Sequence, residues 1–244
     1  MDYINYVKQS PMSMSGMGGP VGALNFHSGS AEVTTFRGNR GITAMGIVGP
    51  TRYNNINYYN LASPCNASNF GTLTQARGYG GSAAGGGGST ASRGVFGAGS
   101  GPSGGTNIMD YITIGSTGNA TDFGDLTQPA SYVGSAYNST RAWRMGGYTP
   151  SRTNTTDSIT IDTTSNATTW GDLIQIWRYS SGCSNGPRFV NMGGDDGQGP
   201  SSGETGYYNN TIQYFSADST GNASNFGNLW NARNGLAGMS GNAS

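Results

Sequence analysis

The side chains that could perform catalysis are few in this chain. His27 is the only histidine among 244 residues, and glutamate occurs only at Glu32 and Glu204. A Ser-His-Asp or Cys-His arrangement would therefore depend on one imidazole. A copper site with two imidazole ligands could not be built at all. These residue types favour neither nucleophilic catalysis nor copper chemistry.

The aspartates recur at matching positions of a repeated pattern. Asp110 matches Asp157, and Asp125 matches Asp172. Glycoside hydrolysis needs two carboxylates around one sugar ring, whereas recurrence in successive units indicates a role in strands and turns. The sequence therefore predicts a protein that is not an enzyme, with no catalytic residue, no metal and no cofactor.

Aromatic side chains in loops remain as candidates for binding chemistry. Loops rich in Tyr, Asn, Ser and Gly suit weak, adaptable contacts with a receptor or a glycan. A receptor- or carbohydrate-binding module would expose several such rings together. The residues that we predict to face a ligand, in this case a host glycan, are Trp143, Trp177, Tyr207 and Tyr208.

The low charge of the chain limits its partners. Only 10% of the residues are charged, the formal net charge is zero, and no cluster of Lys and Arg offers a phosphate-binding surface. No window approaches the roughly 18 apolar residues of a membrane span, and the N-terminal segment lacks the pattern of a secretory signal. We predict neither a nucleic-acid partner nor a membrane partner. Cys65 and Cys183 fit no metal spacing, which leaves two buried thiols or a disulfide as alternatives.

The elements that must position these side chains come from a repeat. Asn-Ala-Ser/Thr followed by an aromatic residue, Gly and later Leu occurs four times, at 66–73, 119–126, 166–173 and 222–229. The four aromatic residues, which we expect to pack at equivalent places between units, are Phe70, Phe123, Trp170 and Phe226. Four arginines precede them at matching positions and are expected to bond turn carbonyls: Arg40, Arg93, Arg141 and Arg188.

The pattern between these motifs is typical of β-strands. β-branched residues alternate with polar ones, and Gly interrupts every window that could form a helix. Residues 40–244 are therefore expected to lack helix, with strands at 42–46, 56–61, 94–98, 109–114, 142–146, 158–162, 189–192 and 211–216. Stretches of small residues such as "YVGSAYNS" (132–139) and "GLAGMSGNAS" (235–244) are interpreted as the last strand of a unit.

The strand that ends in a Gly doublet ("RMGG", "NMGG"), the following strand with Tyr or Ile, and the aromatic residue before the closing strand resemble kelch repeats. This resemblance covers about residues 40–244 and implies an all-β, kelch-like β-propeller array. Four repeats are predicted, at 40–92, 93–140, 141–187 and 188–244. Because "MDYI" occurs both at Met1 and at Met109, a partial fifth blade is the alternative.

Residues 1–39 form a different segment, predicted to be an extended N-terminal arm for assembly. The stretch "PMSMSGMGG" places flexible side chains around a proline, at Pro11, Met12, Met14 and Met17. A loosely packed terminus is the alternative interpretation. The arm resembles a leader of structural proteins from marine and cyanobacterial phages, and the motif at 109–126 is similar to kelch-type arrays in virion proteins of tailed phages.

These resemblances imply a function without catalysis. We expect a phage virion structural protein, a decoration or fibre component of the capsid or tail, that displays a β-propeller and contacts other virion proteins through its arm. A homo-oligomer located in the virion is expected. The alternative is a receptor- or carbohydrate-binding module for host attachment.

Overall fold

The computed structural model describes residues 39–85, 92–148, 150–195 and 208–240, which all belong to the compact unit Gly38–Ser244. These described residues form strands, bridges and turns without any helix, so none of them offers a helix that could cross a membrane. The expected all-β fold is confirmed. The predicted arm residues Pro11, Met12, Met14 and Met17 lie outside the described residues.

The first two sheets come from residues 40–130. The first contains β1 (Arg40–Ala44), β4 (Asn55–Asn60) and β5 (Ser68–Thr72), and a separate hairpin of β2 (Ile47–Val48) and β3 (Thr51–Arg52) connects β1 to β4. The second contains β6 (Gly81–Gly85), β7 (Arg93–Gly97), β8 (Ser100–Gly101), β9 (Gly104–Thr113) and β10 (Thr121–Ala130).

The remaining two sheets have four strands each. The third contains β11 (Gly134–Tyr137), β12 (Arg141–Met145), β13 (Thr155–Thr160) and β14 (Thr168–Asp172). The fourth contains β15 (Ser181–Ser184), β16 (Arg188–Met192), β17 (Thr211–Ser216) and β18 (Ser224–Asn228). Each of the eight strands predicted from the sequence overlaps an observed one.

The small-residue strand begins a sheet and does not end one. β6, β11 and β15 pair antiparallel with the strands that follow them, β7, β12 and β16. The interpretation of "YVGSAYNS" as the last strand of a unit is therefore wrong. The reason is close packing between sheets: a Cβ at Gly182 would lie 2.6 Å from the Ser135 carbonyl oxygen of the preceding small-residue strand. Only residues with minimal side chains allow these strands to approach.

Each aromatic residue of the repeat occupies a β-bulge. Asn57 pairs with Asn69 and Ile56 with Gly71, so Phe70 is the extra residue between them. The same register shift makes the extra, unpaired residue of the strand Phe123, Trp170 or Phe226 in the other three sheets. A bulge bends the strand and redirects its extra side chain, which explains why one aromatic residue and one glycine occur together in every unit.

The Asn-Ala motif of the second, third and fourth sheets binds each of them to the preceding sheet through a contact that we call the clasp. In the first clasp, Ala120 N donates to the Thr72 carbonyl oxygen (2.8 Å), and Asn119 Oδ1 accepts from Thr72 N (3.1 Å). A Cβ at Gly71 would lie 2.2 Å from the Gly118 carbonyl oxygen. The glycine after the bulge is therefore required for backbone contact.

Two further clasps repeat this geometry. Asn166 Oδ1 accepts from Asp125 N at 2.9 Å, and Asn222 Oδ1 accepts from Asp172 N at 3.0 Å. The adjacent alanines, Ala167 and Ala223, donate to the carbonyl oxygens of the same two aspartates at 2.8 Å. The aspartates thus contribute main-chain groups, which is why Thr72 can replace them in the first sheet.

The bulged aromatic rings fill the space between sheets. Phe70, Phe123 and Trp170 are 3%, 0% and 5% exposed, and each packs with apolar residues of the next sheet. Phe226 is 53% exposed, so its expected burial is wrong. The physical reason is that no sheet follows β18 among the described residues.

Buried carboxylates form a second contact between sheets. Asp110 accepts from Thr74 Oγ1 of the preceding sheet at 2.6 Å, and Arg77 Nη1 lies 2.8 Å from it, with both charged side chains fully buried. Burial lowers the pKa of Arg77, and the charge of Asp110 opposes that shift. Asp157 likewise accepts from Thr127 Oγ1 at 2.6 Å and pairs with Arg144. In the fourth sheet a neutral group replaces the carboxylate, since Gln213 Oε1 accepts from Ile174 N.

The recurring arginines, each the first residue of its strand, lie over aromatic rings. Arg40 Nη1 donates to the Ile114 carbonyl oxygen (2.7 Å) and Arg93 Nη1 to that of Ile161 (3.1 Å), each in the following sheet. Their guanidinium carbons lie 4.8 Å and 4.3 Å from the ring centroids of Tyr58 and Tyr111. Arg141 instead approaches Ser158 Oγ, and Arg188 is exposed. The bond to a following sheet is therefore made by the first two arginines of the set.

We expect Phe123→Ala to reduce the free energy of unfolding by about 3–5 kcal/mol, because a fully buried aromatic ring leaves a cavity between two sheets. Ile174→Ala is the control, since that side chain is 52% exposed and surface changes usually stay within about 0.5 kcal/mol. Urea unfolding measures both. Equal losses would contradict the packing described above.

We expect Asp157→Ala to cost about 3–5 kcal/mol, because it leaves the Arg144 charge buried without its partner. Gln213→Ala removes the equivalent neutral acceptor and should cost less, about 1–3 kcal/mol. Chemical denaturation of the two variants measures the difference. A larger loss for Gln213→Ala would show that hydrogen bonding, and not the ion pair, dominates this contact.

Candidate functional site

Three tyrosines form a row just before the small-residue strands. Tyr79, Tyr132 and Tyr179 precede β6, β11 and β15 by two residues each. Tyr132 N donates to the Tyr79 carbonyl oxygen and Tyr179 N to that of Tyr132, both at 2.8 Å. Gly235 N continues the series with a 2.9 Å bond to the Tyr179 carbonyl oxygen. The row is therefore built by the main chain and spans successive sheets.

All three tyrosines adopt a left-handed backbone conformation. Their φ angles are 58°, 57° and 55°. This conformation costs of order 1–3 kcal/mol for a residue other than glycine and persists only where the surroundings enforce it. Gly235, at the next position of the series, has a φ of 62° without that cost. Tyrosine thus occupies three positions at which glycine would fit the backbone better.

The side chains of the row pack against one another with tilted rings. The ring centroids of Tyr79 and Tyr132 are 4.6 Å apart, and those of Tyr132 and Tyr179 are 4.5 Å apart, with interplanar angles of 40° and 39°. Tyr148 extends the group, with its ring 6.5 Å from that of Tyr132. Tyr79 is 51% exposed, so the row ends in an accessible aromatic ring.

A cation and a carboxylate complete this group, which we call the tyrosine row. The guanidinium carbon of Arg178 lies 5.3 Å from the Tyr179 ring centroid and 5.6 Å from that of Tyr148. Asp195 lies 3.6 Å from Arg178 and accepts a 3.4 Å bond from Asn234 Nδ2. Within the described residues, no group of three or more His, Cys, Asp or Glu could hold a metal ion.

The surroundings of Tyr179 raise the pKa of its phenol. Burial raises the pKa of Tyr179 above its ordinary value, the neighbouring Tyr132 raises it further, and Arg178 opposes the shift. Neutral phenols both donate and accept hydrogen bonds. Together with exposed ring surface and one guanidinium, the row can bind a polar ligand that offers hydroxyl groups and an apolar face.

The residues that the sequence predicts to face a ligand are mostly elsewhere. Trp143 and Trp177 are 1% and 0% exposed, so the expectation that they line the surface is wrong. Trp143 stacks on Phe189 at 4.1 Å because its strand lies in the packed space between the third and fourth sheets. Tyr208 is 51% exposed and bridges Asp195 through its main chain. Tyr207 lies outside the described residues.

Sequence reasoning missed the tyrosine row although a signal existed. Tyr79, Tyr132 and Tyr179 are 53 and 47 residues apart, the same intervals that separate Phe70, Phe123 and Trp170. The tyrosines differ in their flanking residues, so they do not form a motif by themselves. Their stacking depends on main-chain bonds between sheets, which no local pattern reports.

A cavity of about 50 Å³ lies between the second and third sheets. Its wall is mainly apolar, formed by residues such as Val95, Met109 and Leu126, and the small residue Gly81 contributes to it. A space of this kind holds too few polar groups to orient a substrate. The tyrosine row is therefore the better candidate for a binding site.

Comparison with known proteins shows the fold alone. No protein-family model matches the chain, and no curated protein matches it. A solved structure described as "Structure of YjhT" matches with a TM-score of 0.65 and 10% identity, over 84% of this chain and 72% of that chain. At this identity the similarity supports the all-β architecture and carries no information about activity.

We expect Tyr132→Phe to bring the pKa of Tyr179 closer to its ordinary value, because one of the causes of the shift is removed. Alkaline titration of tyrosinate absorbance, with Tyr179→Phe to assign the signal, measures this change. The raised pKa stabilises the fold fully below the unfolded tyrosine pKa of about 10, and this contribution is lost as the pH rises through the folded value. An unchanged titration in Tyr132→Phe would contradict the contact between the two phenols.

Proposed function

We propose that this chain is a non-enzymatic structural protein of a tailed-phage virion and that its sheets are the blades of a kelch-like β-propeller. The observation that carries this proposal is that the recurring residues form the contacts between sheets. The repeated Asn, Ala, Gly and aromatic residues contact the neighbouring sheet, as the first clasp illustrates with Asn119 and Ala120 on Thr72. A repeat devoted to contacts between sheets is typical of a scaffold.

The propeller with four repeats is the interpretation that best explains the sheet order. Three sheets begin with a small-residue strand and proceed to a bulged strand, and the first has the same three later strands. Blades of a propeller bury their faces only against neighbouring blades. The buried aromatic rings between successive sheets agree with such an arrangement.

The virion role rests on the sequence resemblance of the N-terminal arm and of the repeat. In this proposal the arm, with Pro11, Met12, Met14 and Met17, contacts other virion proteins. An extended segment of about 20 residues reaches about 66–72 Å, enough to cross a neighbouring subunit. The sheets then display their loops outward.

Deletion of residues 2–25 tests the virion role. We expect the shortened protein to remain a folded β protein, measured by far-ultraviolet circular dichroism, and to be absent from purified particles. Full-length protein is the control for incorporation. Normal incorporation of the shortened protein would show that the arm is not the anchor, and loss of folding would assign the arm to the sheets.

Binding of a host glycan is a second candidate function, favoured by the tyrosine row. Exposed aromatic rings with nearby hydrogen-bonding groups suit a saccharide, and Tyr79 is the most exposed ring of the row at 51%. We expect Tyr79→Ala to abolish binding on a glycan array. Leu61→Ala, which removes a side chain that is 57% exposed outside the row, should bind normally. If no glycan binds the wild type, the row has another role.

A further inference from the structure

The contacts between successive sheets define a junction that is used three times within the chain. At each junction the Asn-Ala motif of one sheet forms the clasp with the bulged strand of the preceding sheet, which is β5, β10 or β14. In the first and third junctions the residue before the clasp asparagine also donates its N–H to the carbonyl oxygen of the bulged residue, as Gly118 does to Phe70 and Gly221 to Trp170. The first sheet carries one half of a fourth junction, the Asn-Ala motif, and the fourth sheet carries the other half, the bulged strand.

The first sheet has a clasp without a preceding sheet. Cys65, Asn66 and Ala67 correspond to Gly118, Asn119 and Ala120, and all three are exposed. Among the described residues, the Asn66 side chain has no hydrogen bond, whereas the other three clasp asparagines each accept one from a main-chain N–H of the preceding sheet. The main-chain N–H groups of Cys65 and Ala67 point to no acceptor in the described sheets.

The bulged strand of the fourth sheet, β18, forms no clasp with another described residue. Phe226 is 53% exposed, although its three counterparts are nearly inaccessible. Trp230, just beyond β18, is 94% exposed. Arg188, which corresponds to the two arginines that bond a following sheet, is exposed as well. Phe226 and Arg188 are thus exposed where their counterparts contact a following sheet.

The first sheet and the segment that follows the fourth sheet are complementary in a third feature. Among the described residues, the first sheet, β1-β4-β5, has no small-residue strand of the kind that opens the other three sheets. The segment 236–240 has such a composition and lies beside β15, where Ser240 Oγ donates to the Ser184 carbonyl oxygen and Gly238 approaches Gly182. Among the described residues, this segment pairs with no strand. Within the described part of the chain, an unpaired small-residue segment thus accompanies a sheet with no small-residue strand.

We propose that the fourth sheet of one copy binds the first sheet of a second copy and so forms the same junction between chains. By the internal pattern, Ala67 N donates to the Asn228 carbonyl oxygen, Asn66 Oδ1 accepts from Asn228 N, and Cys65 N donates to the Phe226 carbonyl oxygen. Segment 236–240 pairs with β1 of the second copy. The inference goes beyond the virion role, since it depends only on contacts between sheets.

This interface is heterologous, because one surface binds a different surface of the next copy. Such interfaces produce closed rings when the rotation between copies closes, and filaments when it does not. An isologous dimer would instead bring two identical surfaces together. The two kinds of interface respond differently to variants that alter one end only.

Sedimentation velocity of full-length protein tests the proposal. We expect wild type to form assemblies, and Phe226→Asp and Asn66→Arg each to be monomeric, since each blocks one end. An equal mixture of the two variants should form a dimer and nothing larger, because one intact end of each kind remains. Ile174→Asp is the control, matched in exposure at 52%, and should assemble as wild type does.

Each alternative result overturns the inference. A monomeric wild type would mean that the two ends are occupied from within the same chain. Assembly that survives Phe226→Asp would place the interface elsewhere. A dimer formed by one variant alone would indicate an isologous interface, and monomers that persist in the mixture would show that the two intact ends do not bind each other. Circular dichroism shows that each variant is folded before its assembly state is measured.

Discussion

The clasp is the contact on which the other features of this structure depend. It places a main-chain N–H and an asparagine amide against the strand after each bulge, as in the bonds from Thr72 and Ala120. Backbone contact at this distance requires glycine at Gly71, where a Cβ would lie 2.2 Å from the Gly118 carbonyl oxygen. The same approach brings the bulged ring onto the next sheet and excludes water from it. One local geometry therefore fixes the spacing of successive sheets.

Close spacing of sheets also explains how the buried charges of the chain are placed. The Arg77–Asp110 and Arg144–Asp157 pairs are buried where successive sheets meet. Removing two charges from water is costly unless they pair and their remaining groups are bonded. Thr74 and Thr127 supply those bonds from the preceding sheet. The carboxylates that could suggest catalysis are thus engaged in contacts between sheets.

The tyrosine row is a consequence of the same arrangement at the start of the small-residue strands. Main-chain bonds from sheet to sheet place Tyr79, Tyr132 and Tyr179 at stacking distance. Their left-handed conformations cost free energy that glycine would avoid. A row of stacked phenols with Arg178 beside it is therefore the part of the described surface whose composition packing alone does not explain.

The sequence by itself determined the elements and their recurrence, because β-branched alternation, glycine turns and a fixed interval are local properties. It correctly predicted strands around Arg40, Arg93, Arg141 and Arg188 and the burial of Phe123. It could not determine that Trp143 and Trp177 are buried or that Phe226 is exposed, since burial depends on which sheet lies opposite. Nor could it show that a small-residue strand joins the following sheet. Pairing between strands and stacking between tyrosines are set by distances across sheets, which only the tertiary structure defines.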